Sequence, residues 1–404
     1  MESKTIVFDL RALQIGHQHR GIGVVIRSAI ENLNDTKNNY IFYMFDGSNP
    51  IDDLGIHTKN IKYTIVTTPK LNNTIKQLSD VWDLFKLSLH RFTPLRKHRI
   101  DSFVQFDFSL GLPRFRKVRT IVMAYDLIPL IMKREYLPSP FFAISQTVGI
   151  KSKIKAMLRS SYYILKSKKE YQVYKRSKSI IAISDVVKDS FADILRINRS
   201  KISVINLAPD AKATDASDRV LDSFGINKPY IVYIGGTDSR KRIEEIVYAF
   251  NITQGRGSNL ELVLAGNEFK SLETLPNITA RNAIVESPYR DKIHFAGYVD
   301  DSEKNGLYQN AHAFIFCSTY EGFGLPVLEA YNNSCPVVCY DNSSVSSLGH
   351  NSAIVIETGN YVRVAEAIGR LFDESVRSDL ISSGKKKSSR YTWEKFSSKL
   401  LGHY

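Results

Sequence analysis

Two acidic residues eight positions apart, Glu321 and Glu329, bracket the run Gly322-Phe323-Gly324-Leu325-Pro326 in a 404-residue chain. Glycine lets a backbone approach a ligand closely, and proline suits the first position of a helix, so the run predicts a tight turn that opens a helix. The free N–H groups and positive dipole end of such a helix make a site for a diphosphate. Glu321 would sit at the mouth. Glu329 would lie one turn into the helix, where a carboxylate can take two sugar or ribose hydroxyls. A plainer reading makes the glycines an ordinary turn and Glu329 a partner of the helix dipole. Two acids around such a turn, directly after the apolar run AFIFC, favour the chemical reading. A second candidate is the basic run Ser239-Arg240-Lys241-Arg242, which alone would often be a solvated turn but here follows Gly235-Gly236 and an apolar strand.

Apolar periodicity supplies the elements behind these residues. It predicts strands at 5–10, 40–44, 102–106, 119–124, 179–183 and 202–205, with a helix over 22–33. The chain turns polar from Leu207 to Lys228, the expected junction. A second series follows, with strands at 230–234, 260–265, 292–296, 313–317 and 336–339 and helices at 242–250, 302–310 and from Pro326. Two α/β series imply two doubly wound parallel sheets, with ligands at the carboxyl ends of the strands and the expected active site in a cleft between them.

Composition narrows the class. The chain is 43% hydrophobic and 24% charged, ordinary globular values. The opening MESKTIVFDLRAL lacks the tripartite order of a signal peptide, so a cytoplasmic protein is expected. No apolar run is long enough to span a bilayer. Cys317, Cys335 and Cys339 lack metal-ligand spacing and read as reduced packing residues; neither a cofactor nor a metal is expected. Residues 1–200 hold 33 Lys+Arg against 17 Asp+Glu, whereas residues 201–404 hold 22 against 24. The stretch Lys151 to Lys178 carries ten basic residues and one acid, Glu170, among apolar and tyrosine residues. Such a mixture suits a basic amphipathic helix on an anionic membrane surface, or simply a solvated charged face. No nucleic-acid motif accompanies it, so nucleic acid is not an expected partner.

The segment EGFGLPVLEA resembles the Glu-x7-Glu signature of retaining glycosyltransferase family 4, which has the GT-B fold. Other segments extend the likeness over most of the chain: RALQIGHQHRGIG, AYDLIPL, SKSIIAISDVVKDSF, YIVYIGGTDSRKRIEEIVYAF, HFAGYVDDSEKNGLYQNAHAFIFCS and the closing SRYTWEKFSSKLL. The resemblance implies an acceptor-binding domain over 1–206, a nucleotide-sugar-binding domain over 207–385, and a helix over 386–404 crossing back to the first. It implies that Arg240 and Lys241 stabilise the leaving diphosphate, that Glu321 faces the donor sugar and that Glu329 binds the ribose. Gly236, Gly322 and the backbone N–H groups of Phe323, Gly324 and Leu325 would hold sugar or phosphate oxygens. Gly21 and Gly23, with Arg20 beside them, match the loop over the donor phosphates, although a lone Gly-x-Gly is weak and is not a dinucleotide fingerprint. Asp126 matches the catalytic-side aspartate. Tyr125 stands where many members have a histidine that contacts the donor sugar. Gly235-Gly236 replaces the Gly-Arg of many members, leaving more of the phosphate charge to Arg240, with Arg242 as a possible helper.

The expected activity is retaining, metal-independent transfer of a hexose from a nucleotide sugar. GDP-mannose is the first donor to consider, with UDP-glucose, UDP-N-acetylglucosamine and dTDP-rhamnose open. The acceptor would be a saccharide or lipid-linked glycan of a bacterial surface polysaccharide. Two rivals stand beside it. A hydrolase using Glu321 and Glu329 would need them closer than the ~12 Å that eight residues span on one helix. A transferase-like partner protein without turnover finds its best support in Tyr125.

Overall fold

In a computed structural model, the structure describes residues 2–15, 21–47, 51–58, 60–68, 94–110, 112, 117–137, 139–140, 149–209, 221, 224–226 and 229–404. The chain divides into two units, Met1–Asn206 with Trp393–Tyr404, and Leu207–Thr392.

The first unit is built on a seven-stranded parallel sheet: β1 (Thr5–Asp9), β2 (Asn34–Phe45), β3 (Asn60–Thr68), β4 (Ser102–Gln105), β5 (Arg119–Ala124), β6 (Ser179–Ala182) and β7 (Ile202–Val204). Their spatial order is β3-β2-β1-β4-β5-β6-β7. Ile6, Val7 and Phe8 of β1 are fully buried, as a strand covered on both faces requires. Helix α1 (Gly21–Glu31) follows β1, starting one residue and ending two residues earlier than the periodicity suggests. Helix α2 (Ile150–Arg176) starts after Gly149, whose φ of 87° suits glycine. Helix α3 (Asp185–Leu195) is capped by Ser184, whose hydroxyl accepts from the Val187 N–H.

The second unit holds a six-stranded parallel sheet in the order β10-β9-β8-β11-β12-β13. Its strands are β8 (Tyr230–Ile234), β9 (Glu261–Ala265), β10 (Ile293–Gly297), β11 (Ala313–Phe316), β12 (Val337–Asp341) and β13 (Ile354–Glu357). Every residue of β8 and β11 is buried. The helices include α4 (Ile243–Gly255), α5 (Ile278–Val285), α6 (Asp301–Asn310), α7 (Leu325–Asn332), α8 (Ser343–Gly349), α9 (Tyr361–Arg370) and α10 (Glu374–Ser388). Asp300 and Glu303 form a reciprocal capping box at α6. In each sheet the strand order reverses beside the first strand, between β1 and β4 and between β8 and β11. Those two places are where a doubly wound sheet takes its ligand.

The last segment, α11 (Trp393–Leu401), belongs to the first unit. Ser397 Oγ donates to the Ala29 carbonyl of α1 at 2.8 Å. Lys4 Nζ donates to the Tyr404 carbonyl at 2.6 Å, and the Tyr404 ring meets Phe8 edge-on at 6.0 Å. Burial of Phe396 and Leu400 contributes about 1.5–3 kcal/mol each. The return was expected from residue 386 and begins at Trp393 instead. Residues 386–388 still continue α10, whose Gly384 lies so close to Tyr331 of α7 that a Cβ would stand 2.6 Å from the ring.

Candidate active site

In the second unit the turn after β8 and the turn after β11 come together where the strand order reverses. Gly235 and Gly236 leave β8 in a turn pinned by Tyr233, whose hydroxyl donates to the Gly236 carbonyl at 2.7 Å. A Cβ on Gly235 would stand 2.6 Å from that hydroxyl, so the close approach requires glycine. Glu268 Oε2 accepts from the Thr237 N–H at 2.7 Å and from its hydroxyl at 2.8 Å. The chain then makes one 3₁₀ turn, Ser239–Lys241, capped by Asp238. Both Arg240 and Lys241 are thereby turned toward the end of β11.

What they meet is Glu321. Its Oε1 accepts from Arg240 Nη1 at 2.5 Å, from Lys241 Nζ at 2.5 Å and from Ser318 Oγ at 2.6 Å. Arg240 Nη1 also donates to the Tyr320 carbonyl at 2.8 Å, and the Thr319 N–H donates back to the Arg240 carbonyl at 2.8 Å. Lys241 and Glu321 are buried, and the Lys241 ammonium lies 4.8 Å from the centre of the Phe316 ring. Burial alone would push the Glu321 carboxyl up. The Lys241 and Arg240 charges, with hydrogen bonds from Lys241 and Ser318, outweigh it and hold the carboxyl below its ordinary range.

Backbone groups fix Glu321 as firmly. Its N–H donates to Ser343 Oγ at 2.9 Å, and Ser344 Oγ donates to its carbonyl at 2.8 Å. Gly322, Phe323 and Gly324 then lead into α7, with Pro326 in its first turn and no side chain capping its N-terminus. Gly324 has φ 102°, a left-handed conformation that glycine adopts readily. Its added Cβ would stand 3.1 Å from Leu348 Cδ1 and 3.3 Å from Val345 Cγ2. Glu329, in the second turn of α7, pairs through Oε1 with Lys304 of α6 at 3.1 Å, and Lys304 reaches Asp301 at the same distance.

The structure therefore brings Arg240, Lys241, Glu321 and the Gly322–Leu325 turn into one constellation, with Glu329 on the helix it opens. Arg242, considered as a further phosphate cation, lies instead against Glu244 at 3.6 Å and Glu245 at 3.8 Å in the first turn of α4. The hydrolase rival fits poorly. A glycosidase acid needs a raised pKa, whereas Glu321 is held ionised by two cations. Ser318, three residues before Glu321, acts within the same turn. Ser343, Ser344, Glu268 and Lys304 carried no local signal in the sequence. They act across loops and between helices, and only the fold brings them in.

In the first unit, Tyr125 and Asp126 follow β5. Asp126 Oδ1 accepts from the Ile128 N–H at 3.0 Å and so starts the helical turn Ile128–Ile131. The Tyr125 hydroxyl is buried with no hydrogen-bond partner among the described residues. Burial, with the Asp107 charge, pushes that phenol well above its ordinary range, so it stays a neutral donor. Gly21 and Gly23 lie in the first turn of α1; Arg20 lies outside the described residues. Cys317, Cys335 and Cys339 are buried free thiols, as their spacing suggested.

Comparison with known proteins bears on the fold and on the family of the second unit. The chain is 25% identical over 235 residues to the O-antigen chain mannosyltransferase B of Escherichia coli, covering 56% of this chain and 60% of that one. It is 27% identical over 241 residues to the capsular polysaccharide biosynthesis glycosyltransferase CapM of Staphylococcus aureus, covering 54% and 60%. The matches thus span about 60% of the length of these relatives. The crystal structure of HepE from Anabaena in complex with UDP-glucose superposes with a TM-score of 0.65 at 12% identity, covering 98% of both chains. The fold is GT-B, two parallel-sheet Rossmann-like units in succession. The profile of the family described as Glycosyl transferases group 1 matches residues 219–387, the stretch that holds Arg240, Lys241, Glu321 and Glu329. Through that stretch the chain carries a glycosyl transferases group 1 domain.

Proposed function

We propose that the chain is a retaining, metal-independent glycosyltransferase. It moves a hexose from a nucleotide sugar to a saccharide or lipid-linked glycan in bacterial surface polysaccharide synthesis. The observation that carries this reading is the pair of cations, Arg240 and Lys241, gathered on Glu321 beside the uncapped N-terminus of α7. Rupture of the sugar–phosphate bond develops negative charge on the diphosphate. Two fixed cations and a helix N-terminus stabilise it more in the transition state than in the ground state. The departing phosphate takes the proton of the acceptor hydroxyl as that hydroxyl attacks the same face, so no separate base is needed. Glu321 holds sugar hydroxyls, Glu329 the ribose, and Gly236, Gly322, Phe323, Gly324 and Leu325 supply backbone contacts. Gly21, Gly23, Tyr125 and Asp126 are the first unit's contribution to donor and acceptor.

GDP-mannose is the donor we put first, because the relatives include O-antigen mannosyltransferases. dTDP-rhamnose, UDP-glucose and UDP-N-acetylglucosamine follow. We further propose that the chain works at the inner face of the cytoplasmic membrane, where Lys151 to Lys178 touches anionic lipid. No helix among the described residues is long and apolar enough to cross a membrane. The test is a panel of nucleotide sugars with oligosaccharide and lipid-linked acceptors, read by nucleoside diphosphate release. Release with one donor supports the enzyme. Nucleotide binding without consumption of any donor would instead support the inactive partner protein.

A further inference from the structure

Helix α2 presents an apolar row that the described residues of the first unit leave open. Ile150, Ile154, Leu158 and Leu165 are 79%, 50%, 61% and 60% exposed, and Met157 is 38% exposed. At 100° per residue these positions share one face. Lys151, Lys155 and Arg159 are exposed one position on from Ile150, Ile154 and Leu158, so a cationic row runs beside the apolar one. Residues 150–169 contain no acid. The other end of the helix is anchored. Tyr171 stacks on Phe108 at 5.6 Å, and Tyr174 donates to the Met123 carbonyl at 3.2 Å. One end of α2 is therefore held in the unit while the other offers aliphatic side chains flanked by positive charge.

We propose that this face of α2 lies in the surface of an anionic bilayer, with Ile150, Ile154, Leu158 and Leu165 among the lipid chains and Lys151, Lys155 and Arg159 on the lipid phosphates. This deepens the membrane contact of the preceding section by naming its face. The row is aliphatic, and a nucleic acid, which favours aromatic stacking, would leave it wet. A second copy of the chain would bring the two cationic rows against each other. A lipid surface satisfies both rows at once, and a helix with this pattern lies in the interface rather than crossing it.

The experiment uses the full chain, sedimented with vesicles of phosphatidylglycerol and phosphatidylethanolamine or of phosphatidylcholine alone. Binding should require the anionic lipid. The triple change Lys151→Gln, Lys155→Gln, Arg159→Gln should lower partitioning about a hundredfold, since each basic residue near such a surface contributes roughly fivefold. The triple change Ile154→Ser, Leu158→Ser, Leu165→Ser should lower it comparably, and Leu158→Trp should show a blue-shifted emission on the vesicles. Circular dichroism and vesicle-free nucleoside diphosphate release keep a folding or catalytic failure distinct from a docking failure. The proposal is overturned by equal binding to phosphatidylcholine. It is overturned equally by vesicle binding that survives the serine changes, by tighter binding to an RNA oligonucleotide that ignores them, or by a parent dimer that they dissociate.

Discussion

Replacing Glu321 by glutamine keeps the shape of the side chain and removes the one negative charge on which Arg240 and Lys241 converge. Lys241 is 8% exposed and Glu321 9%, so the cation left behind is a buried one. Breaking a buried pair by removing one partner costs about 3–5 kcal/mol. The glutamine carbonyl still accepts a hydrogen bond, which places the expected cost near the lower end, about 3 kcal/mol. For a unit of this size that lowers the Tm by about 6–12 °C. The pH dependence gives a sharper signature. The folded Glu321 carboxyl is held below its ordinary range, so its contribution is complete above the unfolded value of about 4.3 and is lost as pH falls through the folded value. Parent and variant should therefore differ fully at about pH 7, and the gap should narrow as pH falls below about 4.3. Urea unfolding at a series of pH values measures this. A gap below about 1 kcal/mol at neutral pH, or one that stays constant down to about pH 3, would refute the reasoning. In the same variant, two cations are released from their carboxylate, so GDP should bind at least as tightly as to the parent while turnover falls.

Three further outcomes follow from single contacts. Lys304→Met removes the partner of Glu329 and should raise the donor KM about tenfold with little change in kcat, measured by initial rates; an unchanged KM would show that Lys304 does not position that carboxylate. Gly324→Ala places a Cβ at φ 102° against Leu348 and Val345 and should cost about 1–3 kcal/mol, read in a thermal melt. Tyr125→Phe removes a buried hydroxyl with no partner among the described residues, so stability should hold or rise slightly while donor turnover falls; equal activity would remove Tyr125 from the donor site.

The sequence showed the second unit's core plainly because its central strands are buried on both faces and read as unbroken apolar runs, YIVYI and AFIF. The same physics hid β3. Asn60–Thr68 lies at the edge of its sheet with most of its side chains exposed, and its polar residues mask the strand. Strand β13 is only four residues long, and α5 exposes Ile278 and Val285, so neither gave a periodic signal. At the site, Glu321, Glu329 and the glycine turn were legible because their spacing is local. That Glu321 binds both cations was not, since Arg240 and Glu321 lie 81 residues apart. Only the side-by-side pairing of β8 and β11 brings their two turns together.

The most direct test compares nucleoside diphosphate release by the parent chain and by Arg240→Ala at saturating donor and acceptor. Removing a preorganised charge from a developing anion costs about a hundred- to a thousandfold in kcat. The expected result is turnover of one donor by the parent and a loss of that size in the variant. Turnover at the parent rate in Arg240→Ala would contradict the assignment of the β8–β11 turns as the site of sugar transfer.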